Sequence, residues 1–367
     1  MSLLSDRLLQ QIRSEGPITF YQWMKAALYD PDEGYYCRSD RERWGREGDY
    51  RTSPERSELF AATFARYFAK LYAELGSPST WTIVEVGAGA GQFAAELLVT
   101  LQHRFPEVFS ATQYVLDEAS AHSRSSAGQL LAKFGTQVQV KRLNDLANLN
   151  PGVIFSNELF DAFPVHRVTT QKGAPREFFV DADDQGSFTW TLGEPATPRL
   201  AEYFTQLGIR LGEGQVVDVN LDLEDWLREA AGKLTAGYLI TVDYGTEESS
   251  FDALPDRRST LRGFKGHQFA ADVLEKAGEQ DITTTIDWTW VKQLGDRFGL
   301  KVFEFDRQDR FLLRAGILEE MEERVNQAQD ESERLRLRTN AREMILPDGM
   351  AASFQVLVQK RVAEAGQ

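Results

Sequence analysis

The hydrophobic rhythm of the chain changes near residue 81. Before that point, apolar residues recur at helical spacings of three and four, as between Phe60 and Leu75. From residue 81 onward, short apolar runs typical of strands alternate with longer helical patterns. The predicted strands are 82–86, 113–116, 137–141, 153–156, 238–242, 301–305 and 354–359. The predicted helices are 92–102, 123–133 and 222–234. This alternation predicts an α/β fold with a mainly parallel seven-stranded sheet and helices on both faces.

Three parts of the chain depart from this alternation. Residues 1–80 show helical and loop patterns, and we predict that they form an N-terminal segment. Residues 165–215 are expected to form a strand-rich insertion, and residues 315–345 a charged helical one. The main domain is therefore expected to span residues 81–367.

Composition narrows the classes of function. The chain has 367 residues, of which 42% are hydrophobic, so it can build a sizeable core. Its formal charge of −15 argues against a nucleic-acid partner, because such surfaces are normally basic. No apolar run is long enough for a membrane helix, and the first residues lack the pattern of a signal or transit peptide. Cys37 is the only cysteine, which favours a reducing compartment, and we expect a cytoplasmic protein.

A glycine-rich loop follows the first strand of the alternating region. Residues 85–92 read EVGAGAGQ, with glycines at 87, 89 and 91. Glycines let a backbone turn sharply and approach a ligand, and the next helix would point its positive N-terminal end at that ligand. The loop alone is a weak signal, because a tight turn without a ligand has the same pattern.

Its details favour S-adenosylmethionine over other nucleotides. No GxxxxGK[ST] motif is present, which excludes a P-loop. The dinucleotide pattern requires Gly or Ala where this chain has Gln92. Glu85, two residues before Gly87, can face the amino-acid cation of S-adenosylmethionine.

The next two predicted strands also end in polar residues. The second ends in LDEAS, where Glu118 or Asp117 can accept hydrogen bonds from both ribose hydroxyls. An acid at this place occurs in nicotinamide enzymes as well, so it does not identify the ligand. Asn144 and Asp145 follow the third strand and could bind the adenine amino group, or could form a surface turn.

The fourth predicted strand runs into SNELFDAFP. Ligands of open α/β sheets bind at the carboxyl ends of the strands, which places Asn157, Glu158 and Asp161 at the expected active edge. Acids there suit a cationic acceptor such as a guanidinium group, which offers five donors and no acceptor. They would orient a nitrogen toward the methyl group and stabilise the resulting cation. The alternative is structural, with Asp161 capping a helix and Asn157 ordering a loop.

Two further residues are candidates for contact with the substrate. Tyr244 follows the fifth strand and could close over the acceptor or pack in the core. His267 lies in a predicted loop, and we favour a structural or substrate-orienting role for it over that of a general base. The four histidines show no metal-ligand spacing with one another or with Cys37, so no metal site is expected.

Several stretches, taken in order, carry a resemblance to a known family. They are ITFYQWMKAALYDPDEGYY (18–36), GDYRTSPE (48–55), VEVGAGAGQF (84–93), SNELFDAFPVHR (156–167), VDYG (242–245), TLRGFKGH (260–267), GEQDITTTIDW (278–288) and LPDGMAASFQVL (346–357). With these residues the chain resembles the mitochondrial complex I assembly methyltransferases and their bacterial relatives, the MidA type. The resemblance implies a Rossmann-like class I fold with S-adenosylmethionine as the cofactor.

The resemblance also implies roles for individual residues. Gly87 and Gly89 match the cofactor loop and Glu118 the ribose acid. The motif after the fourth strand contributes Asn157, Glu158 and Asp161. An N-terminal motif that we expect to cover the cofactor contributes Gly48, Asp49, Thr52, Ser53 and Pro54. The loop reads GAGAGQ where relatives often read GPGRGT, and LDEAS carries one acid more than the commoner form.

Three hypotheses about function follow. The first is a methyltransferase that modifies a protein at arginine, for which the resemblance implies a role similar to complex I assembly. The second is a binding protein with the same fold that acts in assembly with little catalysis. The third, a nicotinamide-dependent oxidoreductase, is disfavoured by Gln92 and Glu85. We expect a protein substrate, no nucleic-acid or membrane partner, and leave a homodimer open.

Overall fold

The computed structural model describes residues 2–38, 58–247, 260–265, 268–346 and 350–361. Within these residues the strands are β1 Ile18–Thr19, β2 Trp81–Val86, β3 Thr112–Asp117, β4 Val138–Val140, β5 Gly152–Asn157, β6 His166–Gln171, β7 Ala174–Ala182, β8 Phe188–Gly193, β9 Val216–Val219, β10 Gly237–Thr246, β11 Arg262–Lys265, β12 Gln268–Phe269, β13 Asp281–Thr283, β14 Ile286–Asp287, β15 Lys301–Arg307 and β16 Phe354–Arg361.

The helices lie between these strands and before them. In the same part of the chain they are α1 Leu3–Glu15, α2 Phe20–Tyr29, α3 Glu58–Glu74, α4 Gln92–Arg104, α5 Pro106–Ala111, α6 Ala121–Leu131, α7 Arg199–Leu207, α8 Asp222–Lys233, α9 Trp288–Arg297, α10 Gln308–Ala315, α11 Ile317–Gln327 and α12 Glu331–Ile345. Short 3₁₀ turns occupy Ala132–Gln137, Leu143–Asp145 and Met350–Ser353.

The central sheet has the order β15-β16-β10-β5-β2-β3-β4. The five strands from β10 to β4 are parallel, and β16 runs antiparallel to both of its neighbours. All seven predicted strands are found in this path. The sheet nevertheless counts eight strands rather than seven, because β14 pairs with the end of β10 through Gly245 and Ile286. A two-residue strand is too short to produce a recognisable alternation in the sequence.

The strand order reverses its direction next to β2. The chain moves outward from β2 to β3 and β4, and then returns to place β5 on the other side of β2. Two loops that leave the sheet in opposite directions open a crevice at the carboxyl ends of such strands. The glycine loop after β2 and the residues after β5 meet at this point.

Helices cover both faces of the sheet with separate apolar cores. On one face, α3 and α4 pack on the sheet, and Phe93 stacks on Phe155 at 4.5 Å between ring centroids. Phe64 of α3 is fully buried beside both rings, as its helical spacing predicted. On the other face, α8 and α9 cover the sheet through Leu227 and Leu294.

The N-terminal helices belong to a third core. Trp23 and Leu28 of α2 are fully buried, and they cluster with Val180 of β7. Strand β7 lies in a separate antiparallel sheet with β6, β8 and β9, and β1 adds to it by pairing Ile18 with Val180. The first 30 residues therefore pack on the strands of residues 166–219.

The packing of the helices does not determine where the N-terminal segment and the two insertions begin and end. Helix α3 lies before residue 80, yet it packs in the core of the parallel sheet. Helices α11 and α12 occupy residues 317–345, between β15 and β16. The division at residues 80, 165–215 and 315–345 stays a prediction. None of the helices in the described residues is long and apolar enough to cross a membrane.

Candidate functional site

A cavity of about 450 Å³ opens at the crevice beside β2. The ends of β2, β3 and β5, the N-terminal segment and helix α8 all contribute to its wall. Within the described lining, its carboxylates are Asp117, Glu118, Glu158, Asp222, Asp225 and Glu229, and its cations are Lys25 and Arg142. This excess of acids disfavours a pyrophosphate and favours a ligand that carries positive charge.

The glycine loop lies on the cavity wall at Gly87 and Gly89. Gly87 has φ +73°, and a Cβ atom there would lie 3.1 Å from Cδ1 of Leu159. Gly91, at φ +84°, is not in the described lining. It precedes α4, and a Cβ atom there would lie 3.0 Å from the Cβ of Ala127 in α6. Gly91 therefore allows the close approach of two helices, and its predicted part in cofactor binding stays a prediction.

The acids after β3 both reach the cavity. Glu118 accepts hydrogen bonds from the backbone N–H of Gly89 at 2.9 Å and of Ser120 at 2.7 Å. Asp117 accepts one from Leu143 N–H at 2.7 Å and pairs with Arg142 at 3.2 Å. Burial raises the pKa of Asp117. Glu118 thus bridges the glycine loop and the residues after β3, while Asp117 ties β3 to the residues after β4.

Only one of the two residues predicted after β4 to bind adenine lies on the cavity wall. Asn144 lines the cavity, whereas Asp145 is not in its described lining. Lys233 of α8 donates to the carbonyls of Asn144 at 2.8 Å and Leu146 at 2.6 Å. These bonds fix the backbone around Asn144 and leave its side chain for other contacts.

Glu158 lies on the cavity wall in a strained backbone conformation. Its φ is +52°, which non-glycine residues seldom adopt and which tends to occur at functional sites. Its N–H donates to the carbonyl of Val242 at 2.8 Å, and its carboxylate accepts from Asn157 Nδ2 at 3.0 Å. The Oδ1 atom of Asn157 is buried and has no hydrogen-bond partner among the described residues.

Asp161 lies behind the cavity wall, next to Ala162, which lines it. Its side chain is 5% exposed, and Oδ2 accepts a hydrogen bond from Tyr244 Oη at 2.6 Å. Its Oδ1 is buried without a partner in the described part of the chain. Burial raises the pKa of Asp161 to about 6, although the hydroxyl of Tyr244 and the charge of Arg262 act against this rise.

A second buried carboxylate supports this turn. Asp243 accepts hydrogen bonds from the N–H groups of Phe160 at 2.9 Å and Asp161 at 3.3 Å. Burial, followed by the charge of Asp161, raises the pKa of Asp243 well above its usual range. Tyr244 contacts Asp161 and lies under Arg262 at 4.9 Å, and it is not in the described lining of the cavity.

Glu85 is placed differently from the sequence-based expectation. It is 5% exposed, is not in the described lining, and accepts a hydrogen bond from Tyr114 Oη at 2.7 Å. Burial raises the pKa of Glu85 to about 8, so its carboxyl group is largely neutral at pH 7. This geometry gives no support to a contact between Glu85 and a cofactor cation, because strand alternation directs its side chain to the core that holds Tyr114.

Several predicted site residues lie outside the described residues. They are Gly48, Asp49, Thr52, Ser53, Pro54 and His267. Among the described residues, no group of three potential metal ligands occurs.

Sequence reasoning missed several residues of the cavity wall, among them two tyrosines. Tyr29 and Tyr36 line the cavity, and Tyr36 Oη donates to Asp281 Oδ1 at 2.6 Å. Tyr36 lies in the turn DPDEGYY and Asp281 in DITTTIDW, two segments that contribute to the family resemblance. The two segments are about 245 residues apart in the chain, so no local pattern could have joined them.

The lining fits S-adenosylmethionine in charge and in shape. Its sulfonium and amino groups are cations, which the acidic wall favours, and the positive φ of Gly87 lets the backbone approach a ligand closely. A nicotinamide dinucleotide would instead bring two phosphates to this acidic wall.

Comparison with known proteins supports the same ligand. A family described as "Putative S-adenosyl-L-methionine-dependent methyltransferase" matches residues 63–306. A protein of Burkholderia thailandensis, crystallised with S-adenosyl-homocysteine, has 27% identity and a TM-score of 0.84, with 99% of this chain and 93% of that chain covered.

Curated relatives extend the comparison to animals. "Protein arginine methyltransferase NDUFAF7, mitochondrial" of Mus musculus is 29% identical, covering 78% of this chain and 68% of that protein. Its counterpart in Danio rerio is 27% identical and covers 98% of this chain and 88% of that protein. The cytoplasmic location expected from Cys37 is wrong by this comparison, because these relatives are named as mitochondrial proteins. A single cysteine indicates only that the compartment is reducing, and more than one compartment of a cell is reducing.

Three observations indicate the same cofactor. They are the family match over more than half of the chain, the similar structure crystallised with the demethylated cofactor, and the acidic cavity where the strand order reverses. The chain therefore belongs to the family of S-adenosyl-L-methionine-dependent methyltransferases.

Proposed function

We propose that this methyltransferase transfers the methyl group to an arginine side chain of a protein. The observation that carries the proposal is the carboxylate of Glu158 on the cavity wall, held in a strained turn directly after β5. A guanidinium group has five donors in a fixed fork, which carboxylates accept in a defined orientation. The names of the curated relatives support the same acceptor.

Several of the predicted site residues then have a proposed role. Gly87 and Gly89 leave room for the cofactor, Glu118 accepts from its ribose, and Asn144 contacts its adenine. Asn157 orients Glu158 through its amide at 3.0 Å. Gly48, Asp49, Thr52, Ser53, Pro54 and His267 keep the roles expected from the sequence.

The chemistry requires mainly positioning. Bound S-adenosylmethionine supplies an electrophilic methyl group on a sulfonium. Glu158 would orient the guanidinium so that one nitrogen points toward that methyl group. Its carboxylate would accept the proton that this nitrogen loses on methylation, and the donor would leave as S-adenosylhomocysteine. Asp161, whose pKa is raised by burial to about 6, is a carboxylate at neutral pH and stabilises the cation. Tyr244 positions Asp161 through its bond to Oδ2.

Glu158→Gln and Asp161→Asn test this assignment. Both changes keep the shape of the side chain and remove its charge, so we expect affinity for S-adenosylhomocysteine to stay within about twofold. Transfer of labelled methyl groups to lysate proteins should fall by about a hundredfold, as when one group that stabilises a transition state is lost. The control is Asp184→Asn, which also removes one negative charge but at an exposed residue between β7 and β8.

The acceptor is identified by a separate measurement. Mass spectrometry of proteins from cells that lack the gene should show arginine sites that have lost methylation. Transfer to lysine or to another residue would overturn the choice of acceptor. Normal transfer by both variants would overturn the assigned residues, and no transfer by the unaltered protein would favour an assembly factor.

A further inference from the structure

Two tyrosines of the N-terminal segment form a wall of the cavity. The ring centroids of Tyr29 and Tyr36 lie 5.5 Å apart, at an angle of 34° between the planes. Tyr36 is fixed to α2 because its N–H donates to the carbonyl of Leu28 at 2.9 Å. The roles proposed so far use neither tyrosine.

Both hydroxyl groups are already occupied by protein groups. Tyr36 Oη donates to Asp281 Oδ1 at 2.6 Å, and Tyr29 Oη donates to the carbonyl of Ala162 at 3.0 Å. These bonds fix both rings by their outer ends. What the pair can offer to a ligand is therefore ring surface.

Two buried carboxylates lie beside this pair. Asp281 is 6% exposed and Asp161 is 5% exposed. Burial raises the pKa of both tyrosines well above the usual value, and the charges of Asp161 and Asp281 raise it further. Both tyrosines therefore stay neutral phenols in a negative field.

One acceptor atom in this group has no partner. The Oδ1 atom of Asp161 is buried and accepts no hydrogen bond from the described residues. Because Asp161 lies behind the wall that Ala162 forms, its charge acts on a cation in the cavity through space rather than by direct contact. Neutral aromatic faces beside a negative field attract cations, and the planar guanidinium also stacks on such rings.

We propose that Tyr29 and Tyr36 form the surface against which the guanidinium of the acceptor stacks, beside Asp161. Asp281 is a positioning residue that holds Tyr36 at the cavity wall. This inference rests on the proposed function and assigns the preference for a planar cation to residues of the N-terminal segment.

Calorimetry on the full chain saturated with S-adenosylhomocysteine tests the inference without catalysis. The probes are the tripeptides Gly-Arg-Gly and Gly-citrulline-Gly, which have the same shape but differ in charge. We expect the unaltered protein to bind the arginine peptide at least tenfold more tightly than the citrulline peptide. Tyr36→Leu should reduce that ratio by about tenfold, and Asp281→Asn by a smaller factor, since the ring remains.

Two comparisons separate this role from a purely structural one. Tyr36→Phe keeps the ring and should retain more of the arginine preference than Tyr36→Leu. Affinity for S-adenosylhomocysteine should be the same in every variant, and Asp184→Asn should match the unaltered protein. An unchanged ratio in Tyr36→Leu, or no preference in the unaltered protein, would overturn the inference. A preference without any arginine methylation in lysate would leave this binding surface standing and refute the proposed function.

Discussion

The side chain of Glu118 accepts a hydrogen bond from the backbone N–H of Gly89 at 2.9 Å, and so joins the acid after β3 to the loop after β2. The same carboxylate accepts from Ser120 N–H at 2.7 Å. One side chain thus sets the shape of the loop and presents negative charge to the cavity.

Glu118→Ala is therefore expected to weaken cofactor binding. Loss of a charged acceptor costs about 1.5–3 kcal/mol, which corresponds to roughly tenfold or more in affinity for S-adenosylhomocysteine. Calorimetry measures this change. Glu107→Ala, at an exposed acid at the start of α5, provides the control and should bind normally. Equal affinities in the two variants would refute a role for Glu118 in the site.

Gly87→Val is expected to abolish cofactor binding by filling the space that the ligand needs. The new side chain would also meet Leu159, since a Cβ atom lies 3.1 Å from it. Gly173→Val is a matched control because its φ of +74° equals that of Gly87 within a degree, while nothing lies within 4 Å of its Cβ position.

Both valine variants should lose about 1–2 kcal/mol of stability, the cost of a left-handed conformation. Only Gly87→Val should lose affinity for S-adenosylhomocysteine, by at least about tenfold. If Gly173→Val loses as much affinity, backbone strain rather than occupied space explains the effect.

Glu85→Gln should change how stability depends on pH. The pKa of Glu85 is raised by burial from 4.5 to about 8, so the folded chain holds a proton that the unfolded chain releases between these two values. Stability therefore falls as pH rises through this window. The glutamine side chain does not titrate. Between pH 5 and pH 8 the variant's loss of unfolding free energy should therefore be smaller than that of the unaltered protein, by at least about 2 kcal/mol.

Urea unfolding at several pH values measures this difference. Glu107→Gln, at an exposed position, should run parallel to the unaltered protein. Parallel curves for Glu85→Gln would show that Glu85 is ionised in the folded state. Calorimetry on the same variant tests whether Glu85 contributes to cofactor affinity.

Most of the central sheet could be predicted because its strands leave local signals. Apolar runs bounded by turns located all seven strands of the main path, and the glycines after β2 located the crevice. The three-stranded sheet of β11, β12 and β13 was not predicted. Its strands have two to four residues, too few for a periodic pattern.

The residues that could not be placed from the sequence depend on distant partners. Glu85 looked like a cofactor ligand by its position in the chain, and only Tyr114, on the neighbouring strand, shows that it is buried. Gly91 was predicted only as part of the ligand loop, and its approach to Ala127 shows that it also serves helix packing. Asp161 meets Tyr244, 83 residues later, through a turn that the sequence does not determine.

The pairing of β1 with β7 has a consequence for how substrate preference can change. Through Ile18 and Val180 it joins the segment that carries Tyr29 and Tyr36 to the strands of residues 166–219, and Tyr29 adds a hydrogen bond to Ala162 after β5. The glycine loop and Glu118 are built by the parallel sheet alone. If these tyrosines bind the acceptor as proposed, substitutions in residues 18–36 or 166–219 are expected to change acceptor preference while affinity for the methyl donor stays the same. Glu158, which follows β5, would keep one part of acceptor recognition on the parallel sheet.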